Sequence, residues 1–132
     1  MNIVLKNYFS GTELQDLFES NGWNEDINKA ISGLENSPHI VVAVDIDAGC
    51  KIVGIARSVD DDHWSANIDC VIVHSKYQKM GIGTMMLQQL LAQINHIDTI
   101  FVAPDEKTSA SFYEANGFSV LDESRVLKKL KS

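Results

Sequence analysis

Ile68-Asp69-Cys70-Val71-Ile72-Val73-His74-Ser75-Lys76-Tyr77-Gln78-Lys79-Met80-Gly81-Ile82-Gly83-Thr84, running on into Met85-Met86-Leu87-Gln88-Gln89-Leu90-Leu91, reads as a strand, a basic glycine-bearing turn and a helix. The apolar, β-branched run at 70–73 suits a strand covered on both faces. Past the turn, Met86, Leu87, Leu90, Leu91 and Ile94 recur at one-turn spacing, so one stripe of the helix faces a core. A helix start presents unpaired backbone N–H groups and the positive end of the macrodipole. Gly81 and Gly83 carry no Cβ, which lets backbone close on a bulky oxyanion. Lys76 and Lys79 add positive charge here, in a chain whose formal net charge is -7. This local reversal of sign points to a phosphate.

Other phosphate loops fit poorly. A dinucleotide fingerprint wants a third glycine where the chain has Met86, and a Walker loop wants Gly-Lys-Ser/Thr where it has Gly83-Thr84-Met85. Gln78-x-x-Gly81-x-Gly83, between a strand ending Val71-x-Val73 and a helix, resembles the acyl-CoA-binding motif of the GNAT superfamily of N-acyltransferases. The competing reading is a tight strand-to-helix turn without a ligand. The resemblance implies that backbone N–H groups of the loop hold the CoA pyrophosphate. It places cofactor contacts at Ile72, Val73, Gln78, Lys79, Met80, Gly81, Ile82, Gly83, Thr84, Ser109 and Tyr113, with acetyl-CoA as co-substrate and no metal.

Ser111-Phe112-Tyr113-Glu114-Ala115-Asn116-Gly117-Phe118 is similar to a second sequence common in that superfamily, Phe-Tyr-x-x-x-Gly-Phe. By that resemblance Tyr113 donates a proton to the departing CoA thiolate; the alternative is an aromatic residue packed on the sheet. One departure stands out. Many relatives have an asparagine that contacts the pantetheine arm near the start of this helix, where the chain reads Asp105-Glu106-Lys107-Thr108-Ser109. Ser109 offers a weaker polar contact.

The rest of the chain is consistent with one domain over 1–132. Its 132 residues are enough to bury a sizeable core, and a composition of 45% hydrophobic and 22% charged residues is ordinary for a globular protein. A sequence pI near 4.9 argues against nucleic-acid or anionic-membrane partners and is compatible with a cationic small substrate. No apolar run approaches the ~20 residues that span a bilayer, and the first residues lack signal-peptide features, so a cytoplasmic location is expected. Cys50 and Cys70 have no metal-like spacing and read as reduced thiols.

Residues 3–5 suit an edge strand. Ser10-Gly11-Thr12 caps a helix with Leu14, Leu17 and Phe18 on one face, stopped at Asn21-Gly22, and a second helix runs from Asp26 toward Ser37-Pro38. Trp23 between them either packs in the core or touches substrate. Strands at 39–45, 52–59 and up to Val73 form an antiparallel meander, with Gly54 marking a bulge or a close backbone contact, and Asp60-Asp61-Asp62-His63 making a solvated turn that can also attract a cation. After the central helix come a strand at 99–103, a helix from Asp105 to Asn116 and a terminal hairpin of 118–121 with 125–130. The fold class is α/β, the acyl-CoA N-acyltransferase fold: a mixed, mostly antiparallel sheet with one central parallel pair, flanked by helices.

Such a transferase must first deprotonate its acceptor. An alkylammonium of pKa ~10.4 is neutral in about one molecule in a few thousand at pH 7, or ~4.6 kcal/mol of lost nucleophile. Asp69 interrupts an otherwise apolar strand, and 68–78 resemble the corresponding strand of glucosamine-phosphate N-acetyltransferases, where an acidic residue handles the amine. Asp69 is therefore the candidate base, acting through water. Its bland alternative is a solvent-facing position on an alternating strand. His74 competes, with an unperturbed pKa near ~6.5, although its place past the strand end predicts exposure. By family analogy the Val73 N–H donates to the oxyanion. The expected activity is acetyl transfer to the primary amine of a small molecule in a ternary complex. A non-catalytic acyl-CoA sensor and a protein lysine or N-terminal acetyltransferase are the alternatives. The apolar residues of the terminal hairpin also predict a homodimer.

Overall fold

A computed structural model describes residues 1–23, 27–104, 110–121 and 129–130. In order these are β1 (Ile3–Lys6), α1 (Leu14–Ser20), α2 (Ile27–Glu35), β2 (His39–Asp45), β3 (Lys51–Asp60), β4 (Ser65–Val73), α3 (Ile82–Gln93), β5 (Thr99–Val102) and α4 (Ala110–Glu114). The described strands form one sheet in sequence order. Neighbours from β1 to β4 are antiparallel, and β4 and β5, joined through α3, are parallel. This is the mixed α/β sheet expected.

Strand alternation builds two cores. Val41, Ala43, Val53 and Ala56 pack with Met86, Leu87, Leu90 and Ile94 of the α3 region on one face. Val42, Val44, Ile52 and Ile55 meet Leu14, Leu17 and Phe18 of α1 and Leu34 of α2 on the other. Both sheet faces are thus covered, which fits the near-continuous apolar runs of β2 and β3. Helix α1 begins through a 3-10 turn at Gly11–Glu13, and Ser10 holds the N-cap position of that turn without a side-chain cap bond. Asn21 and Gly22, the latter at φ 76°, end it as expected.

Of the two alternatives for Gly54, a bulge or a close approach, the structure shows the close approach, and the bulge lies at its neighbour Val53. Register shifts beside it, because Ala43 pairs with Gly54 and Val44 with Ile52, leaving Val53 as the extra residue of a bulge. A Cβ on Gly54 would lie 2.9 Å from Sδ and Cε of Met86, so the missing side chain is what seats α3 on β3.

Two expectations change. The terminal hairpin is not found at 118–121, where the described backbone is not a strand; most of its second arm lies outside the described residues. The reason lies in the end of α4, where Asn116 N–H and Phe118 N–H both donate to Tyr113 O, at 2.9 and 3.1 Å, around Gly117 at φ 96°. Phe118 is turned by that cap into the cluster formed by Tyr113 and Phe112. The aspartate turn is also not simply solvated. Asp60 has a fully buried side chain. It accepts from Ser58 Oγ at 2.6 Å, Asp62 N at 2.8 Å and His39 Nδ1 at 2.9 Å. Burial works against its charge, but these bonds outweigh it and hold the carboxyl below its usual range. Asp61 shapes the turn by accepting the N–H groups of His63, Trp64 and Ser65.

Gly54→Leu tests the seat of α3. The added volume collides with Met86 and approaches Ile72 O, so a loss of about 1–3 kcal/mol in urea denaturation is expected.

Candidate active site

The site begins with an irregularity in β4. Arg57 pairs with Cys70 and Ser58 with Ile68, so Asp69 is the unpaired residue of a bulge. Before it, Ala66 and Ile68 face the α3 core; after it, Val71 and Val73 face that core, while Cys70 and Ile72 face α1 and α2. Pairing with β5 also ends here, the last partners being Ile68 and Val102. From Asp69 to Val73 no described strand lies beside β4 on that side.

Ladder phase then decides which backbone groups face the opening. His74 N–H donates to Val53 O at 2.8 Å while Val73 pairs with Gly54, which puts Val73 at a non-hydrogen-bonded position of the β3–β4 ladder. The N–H and C=O of Val73 and, two residues earlier, of Val71 therefore point away from β3 into the space that β5 has left. Ile72 has the opposite phase, and its side chain, 7% exposed, is in the α1 core. Val71 thus shares with Val73 the position expected of Ile72. Only the strand phase could have revealed this.

The end of β4 is tied down. Val73 O accepts from Asn21 Nδ2 at 3.0 Å and Gln78 Nε2 at 3.1 Å, and Gln78 Nε2 also reaches Asn21 Oδ1. Gln78 is thus a strut between the loop and the end of α1. His74 is 3% exposed, contrary to the expectation of exposure. Its Nδ1 accepts from Lys76 N at 3.1 Å and its Nε2 bonds Asp16 Oδ2 at 3.0 Å, so both ring nitrogens are engaged and neither is placed to take a proton from a substrate. Lys51 approaches the same Asp16 oxygen at 2.9 Å and is the main reason the Asp16 carboxyl lies below its usual range.

After a 3-10 turn at Ser75–Tyr77, Lys79 and Gly81 take φ of 64° and 85°. Lys76, Gln78, Lys79 and Met80 are exposed. The first N–H paired within α3 is that of Met85, donating to Gly81 O at 3.1 Å. The N–H groups of Ile82, Gly83 and Thr84 therefore have no acceptor among the described residues. A Cβ on Gly81 would meet nothing within 4 Å, whereas one on Gly83 would touch the Phe112 ring at 3.6 Å and Val73 Cγ2 at 3.7 Å. An open backbone edge thus leads into a turn of unpaired N–H groups, an arrangement able to hold an extended chain ending in a diphosphate.

Asp69 lies on the α2 side of the sheet. Its Oδ1 and Oδ2 accept from Arg57 Nε at 2.5 Å and Nη2 at 2.9 Å. Arg57 Nη1 reaches Gly33 O at 3.1 Å and Ser37 Oγ at 3.3 Å, so the fork is anchored to the end of α2. Arg57 has no motif around it, and only its contacts mark it. Trp23 stacks on Phe18 at 5.1 Å and is 37% exposed, one face in the core and the other toward solvent. Tyr113 is 5% exposed, its ring edge-on to Phe112 and Phe118. It also lines a cavity of about 740 Å³ with β5, α4 and 117–121. Phe112, not Tyr113, is the α4 side chain against the loop glycine. Ser109 lies outside the described residues.

The five described strands form a mixed sheet, opened on one side of β4 above a helix N-terminus, which is the architecture of the acyl-CoA N-acyltransferase fold. Residues 36–120 match the acetyltransferase (GNAT) domain, and the chain belongs to that family. The family uses acetyl-CoA. A related protein of Pyropia yezoensis, named as the uncharacterized N-acetyltransferase ycf52, is 34% identical over 112 residues, covering 80% of this chain and 63% of that protein. The chain thus spans less than two thirds of the length of this relative. Among solved structures, a GNAT family acetyltransferase from Streptococcus pneumoniae superposes with TM-score 0.78 at 23% identity over 99% of this chain and 96% of that one. Glucosamine-6-phosphate N-acetyltransferase from Arabidopsis thaliana superposes with TM-score 0.74 at 14% identity over all of both chains. At these identities the likeness is one of fold.

Under the loop, Tyr77 Oη donates to Asp45 Oδ2 at 2.8 Å, which is the first cause of the low Asp45 pKa and of the raised Tyr77 pKa. A depressed carboxyl contributes stability above its unfolded pKa, 3.8, and that contribution is lost as pH falls through the folded value. Tyr77→Phe is therefore expected to lower Tm near pH ~6, with the gap to wild type closing progressively as pH falls below 3.8. A gap independent of pH removes the linkage to Asp45.

Proposed function

We propose that this chain is an N-acetyltransferase moving the acetyl group of acetyl-CoA to the primary amine of a small molecule by direct attack in a ternary complex. The observation that carries the reading is the continuous run of outward-facing backbone from Val71 and Val73 to the unpaired N–H groups at 82–84. The pantetheine arm would lie along the β4 edge and the diphosphate in the turn at 78–84, with Lys76 and Lys79 beside it. The thioester would then sit at the mouth of the opening, where the Val73 N–H meets the developing oxyanion.

In this scheme the ammonium loses its proton through water to Asp69. The free amine attacks the thioester carbon, the C–S bond breaks, Tyr113 protonates the departing thiolate, and the second proton lost by the new amide nitrogen restores the Tyr113 hydroxyl through water. Arg57 fixes the carboxylate of Asp69 in one orientation at the α2 end, where the acceptor would enter. The family assignment supports acetyl transfer; the small-molecule amine, the cytoplasmic location and a homodimer formed through exposed Val120, Leu121 and Leu130 are part of the proposal. One observation favours a second reading. The Arg57 fork engages both oxygens of Asp69, as it would in an acyl-CoA-binding module without a base.

Gly81→Val places a branched side chain at φ 85°, in the space left open above the helix start. CoA affinity by calorimetry should fall at least ~10-fold, since the backbone approach to the phosphates is blocked. Unchanged affinity removes the loop from the cofactor site.

Turnover separates the catalytic roles. Tyr113→Phe keeps the ring packing and removes only the hydroxyl, so kcat should fall ~10²-fold or more with little change in CoA binding. Asp69→Asn should lower the rate most near neutral pH and recover as pH approaches the pKa of the amine. A loss constant across pH makes Asp69 a positioning residue. Binding of acetyl-CoA with no thiol release from a panel of amines establishes the second reading.

A further inference from the structure

At the end of the sheet opposite the turn at 78–84, four side chains from three separated segments converge. His39 opens β2, Asp60 and Asp62 belong to the β3–β4 hairpin, and His96 follows α3. Ligand atoms of His39, Asp60 and Asp62 all lie within 4.8 Å of one another. His96 Nε2 approaches Asp62 Oδ1 at 2.8 Å, and the two imidazole rings are 6.3 Å apart, inclined at 67°.

Hydrogen bonding assigns the roles. The buried Asp60 carboxylate faces His39 Nδ1 at 2.9 Å, so Nδ1 carries the proton and donates it. In neutral His39 the lone pair is then on Nε2, which faces Asp62 Oδ1 at 3.4 Å. Two acceptors then oppose each other unless a proton or a metal cation lies between them. A carboxylate behind the second nitrogen of a histidine is the usual support for a metal-ligating imidazole, fixing its tautomer and ring orientation. Asp60 has that place, and Ser58 and the Asp62 N–H hold it.

We propose that His39 Nε2, Asp62 Oδ1 and His96 Nε2 bind a divalent cation of the zinc type, with Asp60 positioning His39. Two imidazoles and a carboxylate suit zinc, and water completes four-coordination. Bonds of ~2.0–2.1 Å at tetrahedral angles put ligand atoms about 3.3 Å apart. The 3.4 Å between His39 and Asp62 already matches, whereas His96, whose Nε2 lies 2.8 Å from Asp62 Oδ1 and 3.0 Å from Asp62 O, would reach the ion only by rotation of a side chain 47% exposed. Two positive charges also offset the carboxylates of the aspartate run.

The eight residue steps of β4 from Ser65 to Val73 separate this cluster from Val73 by about 26 Å at ~3.3 Å per step, so the ion's role is structural. It would join the start of β2 and the β3–β4 hairpin to the segment leaving α3.

The test uses the whole chain, cleared of metal by chelator and dialysis and titrated calorimetrically with Zn(II). One ion per chain is expected, with His96→Gln and Asp62→Asn each weakening binding at least ~10-fold. Asparagine is chosen because Asp62 has φ 65°, which it tolerates. His63→Gln is the control, an exposed histidine in the same turn that is left out of the ligand set, and it should bind as wild type does. Zinc should raise Tm in wild type and in His63→Gln but not in His96→Gln. No stoichiometric binding by wild type overturns the site. So does wild-type affinity in both His96→Gln and Asp62→Asn, or a loss in His63→Gln equal to theirs.

Discussion

A strand carries its side chains alternately to two faces, and β4 breaks that rule once, at Asp69. The rest of the candidate site depends on the break. With regular alternation Ile68, Cys70 and Ile72 would share a face; with one residue inserted, Ile68 serves the α3 core while Cys70 and Ile72 serve the α1 core. The pairing of β4 with β5 stops at the same point, so both the face change and the opening beside β4 arise from one extra residue. That residue is charged, and Arg57, directly opposite its neighbour Cys70, holds it with two hydrogen bonds. A bulge is a natural place to turn a polar side chain out of an otherwise apolar strand without burying it unpaired.

The opening would collapse or fray if its end were loose, and the contacts around Val73 prevent this. One carbonyl accepts two side-chain amides, one from the cap of α1 and one from the loop, and His74 is pinned between Asp16 and Lys76 N–H. These polar groups leave the N–H groups at 82–84 as the open backbone donors of the helix start. Among the described residues the polar groups around the turn are paired and the N–H groups at 82–84 are not, which is the arrangement an anion site would need.

Most of the fold was legible because it depends on local signals. The apolar periods of β2, β3 and α3, the glycine after α1 and the proline after α2 each mark an element without reference to distant residues. The glycine turn was legible for the same reason. What was not legible depends on contacts between distant segments. His74 stands one residue beyond a strand and so looked exposed; it is buried because Asp16, 58 positions earlier, lies over it. Counting along 65–73 cannot show that Asp69 is an inserted residue, so the exchange of Ile72 for Val71 at the open edge was invisible too. Nor does any spacing link His39, the aspartate run and His96, which meet only because the hairpin, β2 and the segment after α3 end at the same side of the sheet. Phe118, apolar and extended by pattern, is taken instead by the cap of α4.

The chain's acidity, finally, does not oppose a polyanionic cofactor once the charges are located. Acidic groups near the loop are engaged: Asp16 with Lys51 and His74, Asp45 with Tyr77 and two backbone N–H groups. The run at Asp60, Asp61 and Asp62 lies the length of β4 away, about 26 Å, well beyond the ~8–10 Å over which exposed charges interact in physiological salt. An anion arriving at the turn therefore meets Lys76, Lys79 and the helix start rather than the net charge of -7. The same separation would let the negative end of the sheet hold the proposed cation without weakening the field at the turn.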